Sequence, residues 1–260
     1  FMTSDIKMFL PAWNAYIVYT PLYSNVFEVL KELVYSKAIS FLDRDCSKET
    51  NDAFGDPGMK LAEHLAIAYW WGKIDTDEPK NILPEFFQRA PLRIREHFIK
   101  HIGWNLKDAG KNNAEPERIP TDRLRKLLET RLEQLLDKKG SIEELEHFGD
   151  WFASGYFDDD WGIKKLLQIL STGNQVEDSE DVMEHLAHLA ASGTLFEDVL
   201  NTSRKMVEAL GEKKWEMHGW NEYLREILKK GLESSVFHDM SVDFIHYLGS
   251  KGFVSFRDLL

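Results

Sequence analysis

The chain has 260 residues, of which 43% are apolar and 29% charged, and a formal net charge of −12. These values suit a packed globular core and argue against a nucleic-acid-associated module, because non-specific affinity for phosphate backbones comes from cationic side chains. A single cysteine, Cys46, excludes an internal disulfide and any cysteine-based zinc cluster and points to a reducing, cytoplasmic setting, while no apolar run approaches the roughly 20 residues of a membrane span.

The N-terminus lacks the basic-then-apolar pattern of a signal peptide, and Phe1 ahead of Met2 reads as a scar before a native start or as the edge of an excised fragment. Helical periodicity predicts helices near 24–42, 57–72 and 91–106. Ser24 is a candidate start for the first, and Asp56-Pro57 supplies a cap followed by proline at the first helical position of the second. Leu61–Trp71 is apolar nearly all round, which predicts a helix at the centre of a layer.

The polar stretch Lys107–Pro120 has no apolar periodicity. It suggests an N-terminal helical region at 1–107, a linker at 108–120 and a second helical region at 121–260. From Thr121 to Lys139, Leu124, Leu127, Leu128, Leu132, Leu135 and Leu136 fall on one stripe, with Thr121 as the expected N-cap and Gly140 as the residue closing the helix. Arg123, Arg125, Lys126 and Arg131 alternate with Glu129 and Glu133, as on a solvated face. Ser141-Ile-Glu-Glu144 and Thr194-Leu-Phe-Glu197 fit the capping box, and Asp160 and Ser241 are further expected starts. Strand signals are nearly absent.

An internal repeat organises the second region. At an offset of 38 residues Ser141 superposes on Ser179, Glu146 on Glu184, His147 on His185 and Ala153-Ser-Gly155 on Ala191-Ser-Gly193. The apolar positions Leu145, Phe148 and Trp151 fall on Met183, Leu186 and Leu189. Each segment is followed by a second helix, at 160–171 and 195–210, and a looser third pair covers Trp220–Leu232 and Ser241–Leu248. A helix pair recurring about every 40 residues predicts an all-α fold of stacked antiparallel helical hairpins, a HEAT-like α-solenoid.

Candidate chemistry is sparse. His97 and His101 share a helix face at a spacing that can hold a metal, but the sequence lacks the His-Glu-x-x-His pattern of metalloproteases. His185 and His188, with Asp181 and Glu184 nearby, form a second cluster, in which the counterpart of His185 in His147 favours a packing role. Asp158-Asp159-Asp160 could offer hard oxygens to a divalent cation, yet its place before Trp161 and an apolar helix favours capping. Cys46 beside Asp45 has no reason for a lowered pKa, and no nucleophile elbow, Walker loop or dinucleotide-binding glycine motif occurs. No catalytic, cofactor or metal site is therefore assigned. Among the aromatics Trp70, Trp71, Trp151, Tyr156, Phe157, Trp161, Trp215 and Trp220, the turn between Trp151 and Trp161 is the preferred surface for a protein partner, with Trp151, Tyr156, Phe157, Asp158, Asp159 and Trp161 as its candidate residues.

The stretches Trp151-Phe-Ala-Ser-Gly-Tyr-Phe-Asp-Asp-Asp-Trp-Gly-Ile-Lys-Lys-Leu-Leu and Leu248-Gly-Ser-Lys-Gly-Phe-Val-Ser-Phe-Arg-Asp-Leu-Leu resemble the helical C-terminal regions of large bacterial proteins. In those proteins a STAND-type NTPase or sirtuin-like module precedes a helical-repeat region, and several take part in anti-phage defence. The resemblance implies a sensor or scaffold role, with catalysis outside this segment. An enzyme or metal protein using a His/Asp/Glu site on the helices is the alternative.

Overall fold

The computed structural model describes residues 12–13, 15–16, 25–42, 56–76, 82–111, 118–137, 142–193, 195–211 and 216–260. Phe1, Met2, Ser24, Cys46, Gly140, Ser141, Thr194 and Trp215 lie outside the described residues, so the expected start at Ser24, the expected stop at Gly140 and the hydroxyl half of both capping boxes lie there too. Among the described residues the secondary structure is entirely helical, and no helix is long and apolar enough to cross a membrane.

The chain divides into two compact units, one of residues 1–105 and 117–144, the other of 106–116 and 145–260. This division departs from the expected break at 108–120. The helix expected to end at 106 runs on through Lys111, and the amphipathic helix beginning at Thr121 belongs with the N-terminal helices instead of opening the repeats.

The first unit contains α1 (Asn25–Ile39), α2 (Pro57–Trp70), α3 (Ile82–Arg89), most of α4 (Leu92–Lys111) and α5 (Thr121–Asp137). Asp56 caps α2 as expected, its carboxylate accepting the Gly58 N–H at 2.7 Å while Pro57 occupies the first turn, where its missing N–H costs nothing. Leu61, Leu65, Ala66, Ala68 and Tyr69 of α2 are buried, in keeping with its apolar sequence. The short α3 was not legible as a helix. Its Pro84 is tolerated in the first turn, and Ile82, Leu83, Phe86 and Phe87 supply the buried face. Helix α5 begins at Thr121 itself, with the Pro120 carbonyl accepting the Leu124 N–H at 3.0 Å, so Pro120 and not Thr121 stands at the cap.

Lys126 of α5 is exposed, but Arg123 and Arg131 depart from the solvated face that their alternation with glutamates suggested. Arg123 donates to the Ile74 carbonyl at 2.7 Å and lies 4.8 Å over the Tyr69 ring, whose hydroxyl in turn donates to the Arg123 carbonyl at 2.6 Å. Arg131 is buried. Its guanidinium sits 4.2 Å over Phe87 and donates to Glu144 at 2.6 and 2.7 Å, while Arg95 of α4 pairs with the other oxygen of the same carboxylate. Glu144, expected to close a capping box, is instead the fully buried counter-ion of two arginines.

A second buried polar group, His64 of α2, lies in an aromatic nest of Trp13, Tyr16 and Tyr35, with the Tyr35 hydroxyl 2.7 Å from Nδ1. Burial holds its pKa down at about 4. A histidine whose folded pKa is depressed contributes stability that is complete above its unfolded value and is lost as pH falls toward the folded one. His64 is thus expected to remove about 3 kcal/mol between roughly pH 6.5 and pH 4. Chemical denaturation of the wild type and of His64→Gln across that window checks this. The wild type loses more stability than the variant, and parallel curves would exclude the assignment.

After a short 3₁₀ turn (Glu143–Leu145) that begins in the last residues of the first unit, the second unit carries α6 (Phe148–Ala153), α7 (Asp159–Leu170), α8 (Ser179–Ser192), α9 (Phe196–Ala209), α10 (Met217–Leu232), α11 (His238–Ser250) and a closing 3₁₀ segment (Val254–Leu259). Leu145, Phe148 and Trp151 and their repeat counterparts Met183, Leu186 and Leu189 are all buried. Gly155 and Gly193 both adopt left-handed φ, at 70° and 76°, so the two stop signals correspond in backbone conformation as well as in sequence. Each helix packs beyond its sequence neighbour: α8 packs on both α6 and α10, and α9 on both α7 and α11.

The helix starts expected in this unit shift by a few residues. Asp158 caps α7, two residues before the expected Asp160, because its carboxylate accepts the Trp161 N–H at 3.0 Å. Helix α11 starts at His238, after a turn in which the Ser234 hydroxyl accepts the N–H groups of Val236 and Phe237. Ser241 is buried inside that helix and donates back to the Phe237 carbonyl.

Candidate functional site

Helix α8 is amphipathic at strict helical spacing. Val182, Met183, Leu186, Ala187, Leu189 and Ala190 are buried, whereas Asp181, Glu184, His185 and His188 form a polar stripe along the opposite face. That stripe lines a cleft of about 400 Å³, together with Leu106, Lys107, Gly110 and Lys111 from the last turns of α4 and Ala153 and Ser154 from the end of α6.

Two of the lining residues, Lys107 and Asp181, belong to a charge cluster. The Lys107 ammonium lies 2.6 Å from Asp150, 2.8 Å from Asp178 and 2.9 Å from Asp181. Asp150, in the apolar stretch Phe148-Gly-Asp-Trp-Phe152, has a side chain only 1% exposed. Burial, reinforced by the neighbouring Asp178 carboxylate and opposed by Lys107, pushes its carboxyl up to about 7. The three carboxylates hold the Lys107 ammonium well above its ordinary range, outweighing the opposing effect of burial. α6 can approach this region because residue 149 is glycine. A Cβ there would lie 2.2 Å from the Glu177 carbonyl oxygen, and the Glu177 N–H donates to the Glu146 carbonyl at 2.9 Å.

His185 packs edge-on against Phe152 at 4.9 Å, and its Nε2 lies 3.3 Å from Asp159. Burial lowers its pKa, opposed by Asp159, which favours the neutral imidazole. His188, one turn along, is exposed.

The aspartate run preceding Trp161 divides its duties. Asp158 caps α7, Asp159 meets His185, and Asp160 pairs with Lys164 at 2.6 Å. Two of the four aromatics chosen as partner anchors, Trp151 and Phe157, are buried. Trp151 is 0% exposed and Phe157 7%, and they form a ladder in which Trp151 stacks on Phe157 at 6.2 Å, Phe157 meets Trp161 at a tilt at 5.2 Å, and Trp161 meets Phe148 edge-on at 5.9 Å. Trp161 and Tyr156 keep partial exposure, and Asp158 is exposed. Of the other tryptophans singled out, Trp220 is buried and Trp71 exposed.

In the first unit, His97 Nε2 lies 3.0 Å from Glu63, and the His97 and His101 rings are 6.4 Å apart. Among the described residues no group of three or more His, Cys, Asp or Glu side chains is arranged to hold a metal ion.

Sequence reasoning identified Asp181, Glu184, His185 and His188 as a cluster but missed Lys107, Asp150 and Asp178. The available signal was Asp150, a charged residue inside an otherwise apolar helical stretch, which requires a counter-ion once the stretch is buried. No protein-family model, curated protein or solved structure matches the chain.

Proposed function

We propose that the second unit is a HEAT-like helical-repeat scaffold without catalytic chemistry, and that it docks a protein partner along the polar face of α8. The observation that carries this reading is the packing of each helix against the next but one, α6–α8–α10 and α7–α9–α11, which is the relation that stacked helical hairpins produce. Such stacking presents an extended row of parallel faces, and here one of them borders the open cleft lined by Asp181, Glu184, His185 and His188. The resemblance of 151–167 and 248–260 to the repeat regions of bacterial defence proteins adds a setting, in which the chain is the sensor or regulatory part of a larger system.

Crosslinking mass spectrometry in the native host tests the docking. A single partner is expected to crosslink to the side chains of α8, with recovery reduced about ten-fold or more by the paired substitution Glu184→Lys and His188→Ala, as for residues at the centre of an interface. Failure to capture any partner, or capture indifferent to that substitution, would overturn the reading.

A further inference from the structure

We propose that Phe253–Leu260 is a releasable strap. It fills, from within the chain, a peptide-docking seat on α10 and α11, and a partner segment carrying an aromatic residue followed two positions later by an acid displaces it. The seat uses none of the residues of the α8 face, so the inference stands whether or not that face docks a partner.

The strap is held at few points. After Ser250 the chain turns at Lys251 and Gly252, the latter at a left-handed φ of 97°, and the 3₁₀ segment Val254–Leu259 packs back on α11. Within Phe253–Leu260 Phe256 is buried, Phe253 and Leu259 are half-buried, and the other residues are exposed. One enclosed ring thus carries most of the apolar gain that offsets the entropy of ordering the segment, which places the strap at the readily opened end of the unit.

The polar half of the seat is Arg225 of α10. Its guanidinium donates to the two carboxylate oxygens of Asp258 at 2.9 and 3.2 Å and to the Ser255 carbonyl, and it lies 5.2 Å over the Phe256 ring. A bidentate fork is the geometry that selects a carboxylate, and the ring adds a cation–π contact. Among the described residues, every polar and ring partner of Arg225 belongs to the strap, and Asp258 pairs with Arg225 alone. Releasing the strap therefore breaks no other side-chain network, and it leaves the Arg225 fork beside the site vacated by Phe256.

The occupant follows from these two anchors. Phe256-Arg-Asp258 has the spacing that seats a ring and a carboxylate together, and a foreign segment with the same pair meets the same two contacts. The packing of the unit points to the same place. Each helix packs on the next but one, so an element continuing that series would meet α10 and then α11, the two helices that hold the strap.

Fluorescence anisotropy with a labelled synthetic peptide of sequence Phe253–Leu260, titrated with the full chain, tests the seat. The peptide is expected to bind the double variant Phe256→Ala/Asp258→Ala about ten-fold or more tightly than the wild type, in which the tethered strap competes at high effective concentration. Asp258→Ala alone, at a side chain 66% exposed, is expected to gain about two- to five-fold and carries the test if the double variant fails to fold. A peptide with Phe256→Ala is expected to lose about ten-fold or more. A peptide with Asp258→Ala is expected to lose about two- to five-fold, and that loss disappears when Arg225→Ala is added to the protein. Binding absent from both variants, equal in wild type and variants, or indifferent to the peptide's ring would each overturn the proposal. Sedimentation of the wild type separates the other occupant: a monomer supports the partner segment, whereas a dimer that Phe256→Ala dissociates would assign the seat to a second copy and overturn it.

Discussion

Replacing Glu144 by alanine is expected to lower the stability of the first unit by about 3–5 kcal/mol, the scale for removing one member of a buried ionic network. The carboxylate is fully buried and is the shared counter-ion of Arg95 and Arg131. Its removal leaves two guanidinium groups facing each other without the charge that compensates their desolvation. Arg131 suffers most, since it is itself buried between Phe87 and the lost carboxylate. Each arginine keeps a neutral acceptor, the Ala90 carbonyl for Arg95 and the Gln134 side-chain oxygen for Arg131, both at 2.6 Å. Glu144→Gln keeps the shape and part of the hydrogen bonding, so its cost is expected to be smaller than that of alanine.

Exchange of the slowest amides of α4 and α5 measures this loss in the unit that contains the network, even where the two units unfold separately. A loss below about 1 kcal/mol would mean that the arginines find solvent when the carboxylate is gone and that the network is not dry. Changing all three residues together to apolar ones of similar volume separates charge from packing. That variant is expected to recover most of the loss, because a buried ionic group contributes little beyond a well-packed apolar substitute.

The same network marks where the sequence became hard to read. Local signals sufficed wherever a helix is governed by its own periodicity and caps: Asp56-Pro57 opens α2, the leucine stripe of α5 is buried from Leu124 to Leu135 although its last member, Leu136, is exposed, and the Ser-Gly stops at 155 and 193 share one backbone conformation. They misled wherever a polar side chain serves a distant partner. Arg131 and Glu144 are separated by 13 residues, and Arg95 and Glu144 by 49, so alternation of charge on α5 could not reveal that one arginine is buried. Lys107 likewise meets Asp178 across 71 residues, and at the sequence level it fell at the edge of an expected linker. The histidine and acid stripe of α8 was visible because it lies on one helix at regular spacing, whereas Lys107 and the buried Asp150 come from α4 and α6.

Trp151→Ala is expected to destabilise the second unit by about 3–5 kcal/mol, the range for deleting a buried aromatic side chain and leaving a cavity. Trp151 sits inside the ladder with Phe157 and Phe148, on the face of α6 that the repeat pattern directs toward the core. Trp161→Ala removes the half-exposed end of the same ladder and is expected to cost less, about 1–2 kcal/mol, since the remaining gap opens to solvent. The contrast decides between a core and an anchoring surface. A partner anchor keeps the fold intact when truncated and loses binding, whereas a core residue loses stability first. Exchange of the protected amides of α8 measures the stability of both variants. A large loss for Trp151 with a small one for Trp161 leaves Trp161, Tyr156 and Asp158 as the residues of that turn still able to meet a partner. A loss below about 1 kcal/mol for Trp151→Ala would contradict its burial and return the whole turn to the surface.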